Sequence, residues 1–207
     1  FDSTGKQLTI ADLKQEDFNY PAPLDFTNIS LNYDTEWLTN YWETGDTGAI
    51  FKQNCLMACK NGEPGWSFNF FDKERETLRN ACTEVTSEDD SDVCNLASLN
   101  FSRIDDLPTL MRVTYLASKF LLCGTLEADL PYDKIRQTRE KNRRLGLGVM
   151  GVHEWLIKNS YKYGMNPELS KWMSVYEIMS EKGANELADK LGINRPVAYR
   201  AIAPTGT

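Results

Sequence analysis

The sequence predicts an α/β fold in which short strands alternate with longer helices and pair in parallel. Three observations predict it. Strand-like stretches at Trp66-Ser67-Phe68-Asn69-Phe70, Leu99–Ile104, Leu145–Val149 and Val197–Ile202 are set apart by stretches of helical periodicity. The clearest of those helices opens on Asn166-Pro167, a cap followed by proline at the first helical position. Turn chemistry falls between the two kinds of segment, at Asn61-Gly62, Pro64-Gly65 and Gly192.

Taken in order, the opening through Pro21-Ala22-Pro23 is polar and turn-rich and reads as irregular surface structure. Asn28-Ile29-Ser30-Leu31 is a short strand, and Asp34 caps a helix carrying Trp37 and Leu38. A second helix carries Ile50, Phe51, Leu56 and Cys59 and stops near Asn61-Gly62. Pro64-Gly65 turns the chain into the next strand. The stretch from Asn80 to Asn95 reads as a loop, and its acidic run Ser87–Asp92 is expected to face water. After the strand at Leu99–Ile104, a long helix follows Pro108. Leu110, Val113, Ala117, Phe120 and Leu121 share its apolar face. Leu145–Val149 is a buried strand leading into a helix from about Gly151. The helix after Pro167 buries Leu169, Trp172, Met173, Tyr176, Met179, Gly183, Leu187 and Leu191 and stops at Gly192. Val197–Ile202 is the last strand, and Pro204-Thr205-Gly206 begins a turn.

Composition narrows the function classes. At 207 residues the chain holds one substantial domain or a piece of a larger one, and 41% hydrophobic content supports a buried core. A net charge of −7 without a basic stripe argues against nonspecific nucleic-acid binding. A nucleotide ligand stays possible, because backbone N–H groups can hold phosphate in an acidic protein. No apolar run is long enough to span a bilayer. The chain opens on Phe1 with no apolar signal segment, so it is expected to begin inside a longer protein. Five cysteines, an odd number, point to a reducing, cytoplasmic setting. Structural zinc is a poor fit to the spacing of Cys55, Cys59, Cys82 and Cys94 with the single histidine, His153. No metal site is expected.

The chemistry concentrates in Asn80-Ala81-Cys82-Thr83-Glu84. An amide, a thiol and a carboxylate stand at alternate positions, which in an extended segment point the same way. An apolar core disfavours such polar neighbours, so Cys82 reads as reactive and not as packing. Cys94 adds a second thiol and with it two-electron redox chemistry. Cys123, at the end of the apolar run Phe120-Leu121-Leu122, reads as packing. His153 reads as structural. Arg143 and Arg144 suit either phosphate binding or a salt bridge. Gly146, Gly148 and Gly151 fall in Gly-x-Gly-x-x-Gly register, but two arginines precede the run. These glycines read as close strand–helix packing.

Asn80-Ala81-Cys82-Thr83-Glu84 followed by Cys94-Asn95-Leu96-Ala97-Ser98-Leu99-Asn100 resembles the active-site loop of the ribonucleotide reductase catalytic subunit. Gly62-Glu63-Pro64-Gly65, Asn142-Arg143-Arg144-Leu145-Gly146-Leu147-Gly148-Val149-Met150-Gly151 and Ala203-Pro204-Thr205-Gly206-Thr207 resemble three further blocks of that family, in the same order.

The resemblance implies part of a ten-stranded α/β barrel with a central, cysteine-bearing finger loop. It implies that Cys82 becomes the thiyl radical that abstracts the ribose 3′-hydrogen. Glu84 would take the 3′-hydroxyl proton, and Asn80 would orient the sugar. Cys94 would be one of two reducing cysteines; its upstream partner does not appear in this sequence. Pro204, Thr205, Gly206 and Thr207 would cradle the substrate phosphates. The form of the blocks is most similar to the adenosylcobalamin-dependent class, although Asn-Ala-Cys-Thr-Glu departs from the Asn-Pro-Cys-Gly-Glu common there. The alternative is a radical supplied by a separate metal-containing subunit. Implied partners are a ribonucleotide, a thioredoxin- or glutaredoxin-type reductant and the remainder of the reductase chain, with no nucleic acid and no membrane. A noncatalytic fragment or partner-binding module keeping the same scaffold is the other hypothesis.

Overall fold

The computed structural model describes residues 4–14, 22–70, 75, 77–80 and 82–204. They divide into two compact units between Glu88 and Asp89.

The first unit opens with a single helical turn, α1 (Ile10–Leu13), closed by a capping box between Thr9 and Asp12. Strand β1 (Ser30–Asp34) runs directly into α2 (Thr35–Thr44), and Asp34 Oδ1 caps that helix by accepting from Trp37 N at 3.0 Å. Helix α3 (Gly48–Asn61) ends at Gly62, whose φ of 79° is the left-handed cap that glycine adopts without strain. The chain then enters β2 (Gly65–Asn69), parallel to β1 with Ser30 opposite Gly65 and Asp34 opposite Asn69. A two-residue hairpin, β3 (Leu78–Arg79) and β4 (Thr86–Ser87), completes the unit.

Side chains alternate across β1 and β2, so the pair has two unlike faces. One face is aromatic: the Tyr33 ring lies 5.0 Å from Trp37, 5.2 Å from Phe51 and 5.8 Å from Phe68. Asn54, fully buried on α3, ties this layer together. Its amide donates to Pro64 O and accepts from Trp66 Nε1 and the Tyr33 hydroxyl. The other face is polar and carries Ser30, Asn32, Ser67 and Asn69. Lys14, also buried, pairs with Glu63 and donates to Thr27 O.

In the second unit, β5 (Asn95–Asn100) is followed by a 3-10 turn at Phe101–Arg103 and by α4 (Leu107–Glu127) and α5 (Asp133–Asn142). Strand β6 (Leu145–Met150) returns parallel to β5, with Asn95 opposite Leu145 and Asn100 opposite Met150. Then come α6 (Val152–Lys158) and α7 (Pro167–Leu191). Both parallel pairs are thus joined through helices, as expected of an α/β fold. The core gathers Phe101, Leu110, Leu122, Leu145, Leu147, Leu156 and Trp172. Trp155 and Trp172 lie 4.8 Å apart, and Phe101 meets Trp172 edge-on at 5.5 Å.

Several expectations are corrected here. The strand expected at Leu99–Ile104 begins earlier and ends at Asn100, because Asn100 Oδ1 accepts from Ser102 N and Ser102 Oγ and bends the chain into the 3-10 turn. Helix α4 buries Leu110 and Leu121 and packs Val113 and Ala117 against the core as expected, but Phe120 is 76% exposed, and Thr114, Ser118 and Leu122 are buried beside that face. The reason is close approach to α7. A Cβ on Gly183 would overlap the Tyr115 carbonyl oxygen and Ser118 Oγ, so only small side chains fit the seam. Cys123 is exposed and does not pack. The segment Val197–Ile202 forms a single parallel bridge, Leu147 to Arg200, and not a full strand. The loop from Asn80 contains β4 and the start of β5. The acidic run does not all face water, since the Asp92 side chain is 7% exposed. Helices α1 and α5 went unforeseen; α5 is almost wholly polar. Gly146 admits Leu96, Cys94 and Ala201, and Gly148 admits Ala201 and Ser98, in place of the expected helix. Pro21 lies outside the described residues.

Candidate active site

The hairpin sets the first group of candidates. Asn80 N donates to Val85 O at 3.3 Å, and Asn80 Oδ1 accepts from Val85 N at 3.1 Å. The Asn80 amide is therefore part of the turn, as short polar side chains at loop corners often are. Thr83 N closes the tip on Asn80 O at 3.0 Å. That closure holds Thr83 at φ 65°, a left-handed conformation uncommon for a β-branched residue. Such backbone costs on the order of 1–3 kcal/mol and is kept only where the surroundings impose it.

The turn overrides the alternation expected of an extended chain. Cys82 stands exposed near the tip, and Asn80 is exposed below it. Glu84 is half-buried, and its Oε2 is enclosed with no hydrogen-bond partner among the described residues. An enclosed carboxylate oxygen that accepts nothing is uncommon, because buried polar groups are nearly always hydrogen-bonded. Ala81 lies outside the described residues.

Cys94 belongs to the second unit, one residue before β5, and is half-buried. Its Sγ fills the space left by Gly146: a Cβ there would stand 2.9 Å from the sulfur and overlap Leu96. The segment before it is pinned by charge. Asp92 Oδ2 accepts from Arg144 Nε and from Asn142 Nδ2, both at 3.0 Å. Neither side chain of the Asp92–Arg144 pair is more than 7% exposed. Lys141 and Asn142 bond Asp89 at 2.8 and 2.9 Å and hold its carboxyl below the usual range. Arg144 is thus engaged by a salt bridge. Arg143, also buried, donates to Glu140 O, and its Nε has no partner among the described residues.

Pro204 is exposed, and Thr205, Gly206 and Thr207 lie outside the described residues. His153 meets Tyr163 edge-on at 5.1 Å. Among the described residues no three His, Cys, Asp or Glu side chains surround a common metal position, and no helix is long and apolar enough to cross a membrane.

Sequence reasoning missed Arg79 and Asp92. Arg79 directly precedes Asn80, but nothing in the local pattern tells an anchoring arginine from a solvated one. Asp92 was hidden in a run that composition alone assigns to the surface.

Two parallel strand pairs joined through helices, with a cysteine-bearing loop between them in sequence, make an α/β scaffold of the class the sequence predicts. The model of the ribonucleotide reductase barrel domain matches residues 34–195, so this chain belongs to the ribonucleotide reductase barrel-domain family. It is 27% identical over 215 residues to a protein of Mycobacterium phage D29 named as an adenosylcobalamin-dependent ribonucleoside-triphosphate reductase, a match covering 88% of this chain and 31% of that protein. It is 29% identical over 180 residues to the ribonucleoside-diphosphate reductase subunit alpha of Synechocystis sp., covering 81% of this chain and 23% of that one. The chain therefore spans less than a third of these curated relatives. Among solved structures it is similar in fold to the alpha subunit of the class Id ribonucleotide reductase of Actinobacillus ureae. That likeness has a TM-score of 0.65 at 22% identity and covers 85% of this chain and 40% of that one.

Proposed function

We propose that this chain is an internal section of a ribonucleotide reductase catalytic subunit, and that it carries the thiol chemistry of ribonucleotide reduction within a ten-stranded barrel. The observation that supports this most is the Cys82 turn, with an exposed thiol two residues from a carboxylate whose enclosed Oε2 has no hydrogen-bond partner among the described residues.

In this reading the Cys82 sulfur, as a radical, takes the 3′-hydrogen of the ribose and becomes S–H. A sulfur–hydrogen bond is weak enough for the transfer to run both ways. Glu84 accepts the 3′-hydroxyl proton, which requires hydrogen-bond reach to that oxygen. Asn80 offers its amide N–H to the sugar while its oxygen stays on Val85. The 2′-hydroxyl leaves as water. Two electrons and the protons that balance them come from a dithiol that closes to a disulfide, with Cys94 as one member and a cysteine elsewhere in the longer chain as the other. Hydrogen then returns from Cys82 to the 3′-carbon. Thr205, Gly206 and Thr207, with Pro204, hold the substrate phosphates through hydroxyl and backbone N–H donors.

Adenosylcobalamin would generate the radical at Cys82. The motif form supports this choice, as does the name of the phage relative. The alternative is a separate metal-containing subunit. The exposure of Cys82 suits an external radical source of either kind. A thioredoxin- or glutaredoxin-type protein would re-reduce the disulfide in the cytoplasm.

The test is made in the complete reductase chain, with adenosylcobalamin, a dithiol, and ribonucleoside di- and triphosphates. Cys82→Ser should abolish deoxyribonucleotide formation, because an O–H bond is too strong for the hydrogen exchange. Cys94→Ser should permit radical formation and block turnover. Near-normal turnover by both variants would overturn the assignment, and an inactive wild-type chain would favour a noncatalytic module. Activity without adenosylcobalamin would point to the metal-containing partner.

A further inference from the structure

We propose that Arg79 is the positioning residue of the thiol hairpin. Its guanidinium fixes the hairpin stem to β2 and so sets where Cys82 presents its sulfur. The kinetic part of this inference rests on the catalytic reading of Cys82.

The stem consists of two residue pairs, Leu78 with Ser87 and Arg79 with Thr86, closed by the Asn80–Val85 bonds. A hairpin this short is at best marginally stable alone. Leu78 adds little burial, since 44% of it is exposed. There is a polar cavity of about 500 Å³ whose walls include Ser30, Asn32, Ser67, Asn69, Arg79 and Asn80.

Across that cavity Arg79 makes the connection. Nε donates to Ser67 Oγ at 2.7 Å, and Nη2 donates to Phe68 O at 3.0 Å and to Asn69 Oδ1 at 2.6 Å. Asn69 Nδ2 reaches back to Thr77 O at 3.3 Å and also meets Asn32. Three bonds from one planar group to three successive residues of a strand fix both distance and orientation. A lysine point charge cannot reproduce them. All three acceptors are neutral, and Arg79 has no acidic partner among the described residues. The contact is therefore directional more than electrostatic, and its main effect is placement. Arg79 adjoins Asn80 and stands three residues before Cys82, so a shift of the stem moves the sulfur.

The experiment compares wild type, Arg79→Met, Arg79→Lys and Cys82→Ser in the complete reductase. It measures kcat, KM for ribonucleotide, amide hydrogen exchange, and the rate at which iodoacetamide alkylates Cys82. Arg79→Met should lower kcat by about 10- to 100-fold, the expected result of misplacing a reacting atom by roughly an ångström. KM should stay within about twofold, because substrate binding is not what the contact supplies. Exchange at Thr83 and Val85 should quicken, while α3 and α7 keep wild-type protection, and alkylation of Cys82 should change rate. Arg79→Lys should fall between the two, since it keeps the charge and loses the fork. Wild-type kcat and hairpin exchange in Arg79→Met, with Cys82→Ser inactive, would overturn this inference alone. Loss of protection throughout the chain would also overturn it, by showing a general structural role. An active Cys82→Ser enzyme would overturn the catalytic reading and the kinetic part together, and hairpin exchange would still decide the anchoring.

Discussion

Two arginines fix the surroundings of the two candidate thiols, and they do so by opposite means. Arg79 holds the Cys82 hairpin through neutral acceptors beside a polar cavity. Arg144 holds the approach to Cys94 through a buried carboxylate, with both partners almost fully enclosed. The difference lies in what each contact costs and controls. A buried ion pair gives up much solvation, so its loss is felt as stability. A guanidinium on neutral acceptors at a half-exposed stem keeps part of its hydration, so its loss is felt as position. The first unit keeps its thiol on a turn that can be displaced. The second seats its thiol against β6, where Gly146 leaves room for the sulfur.

The largest expected effect tests the enclosed pair. Asp92→Ala removes the carboxylate that faces Arg144 and should destabilise the chain by about 3–5 kcal/mol. Denaturant unfolding followed by tryptophan fluorescence measures it. A change below about 1 kcal/mol would show that the pair behaves as a surface salt bridge and erase the contrast.

Next comes the α4–α7 seam, where Gly183 lets the two helices approach closely. Gly183→Val places side-chain carbon where the Tyr115 carbonyl stands. It should cost about 1–3 kcal/mol as the helices are forced apart. Ala at the same site should cost less but not nothing. An unchanged melting temperature for the valine variant would mean that the seam can open freely.

A third test uses pH. Burial pushes the Tyr176 phenol up to about 12, with Arg200 opposing the shift, and its hydroxyl donates to Leu147 O. An unfolded tyrosine loses its proton near pH 10. Between about 10 and 12 the folded chain thus binds more protons than the unfolded one, and its stability falls as pH rises. Tyr176→Phe should flatten this dependence and remove the last phenolate to appear in an ultraviolet titration. If Tyr176 ionises with the exposed tyrosines, the burial account fails.

The smallest expected effect sharpens the comparison most. Arg79→Met should change unfolding free energy by about 1 kcal/mol, because its three charge-assisted hydrogen bonds lie at a half-exposed site where water replaces much of what is lost. Its catalytic effect should be far larger than this change. A stability loss matching that of Asp92→Ala would show that the two arginines do the same work.

The helices were the most legible part of the fold. Asp34, Asn61-Gly62, Asn166-Pro167 and Gly192 mark ends that the structure places within a residue or two. Caps and breakers act locally, so a linear pattern carries them. The strands Trp66–Phe70 and Leu145–Val149 were legible for the same reason. The α4 face was legible except at Phe120, because apolar content alone does not mark burial. A close helix contact selects small residues instead, and Ser118 and Thr114 are buried while Phe120 is exposed. At the candidate site, residue identities were legible and their placement was not. The alternation of Asn80, Cys82 and Glu84 assumed an extended chain, and the left-handed Thr83 turned it into a tip.

By itself the sequence determined the α/β class, the ends of α2, α3 and α7 marked by caps and glycines, and the family, since these rest on local backbone preferences and on short motifs read in order. Tertiary structure alone decided which arginine would meet a carboxylate and which would meet a strand, and that the small residues Thr114 and Ser118 of α4 would be buried while Phe120 would not. Those outcomes depend on groups far apart in sequence: Arg144 with Asp92, Arg79 with Ser67 and Asn69, Gly183 with Tyr115. A linear pattern records each partner, but the desolvation and directional bonding that select between pairings exist only once the chain has brought them together.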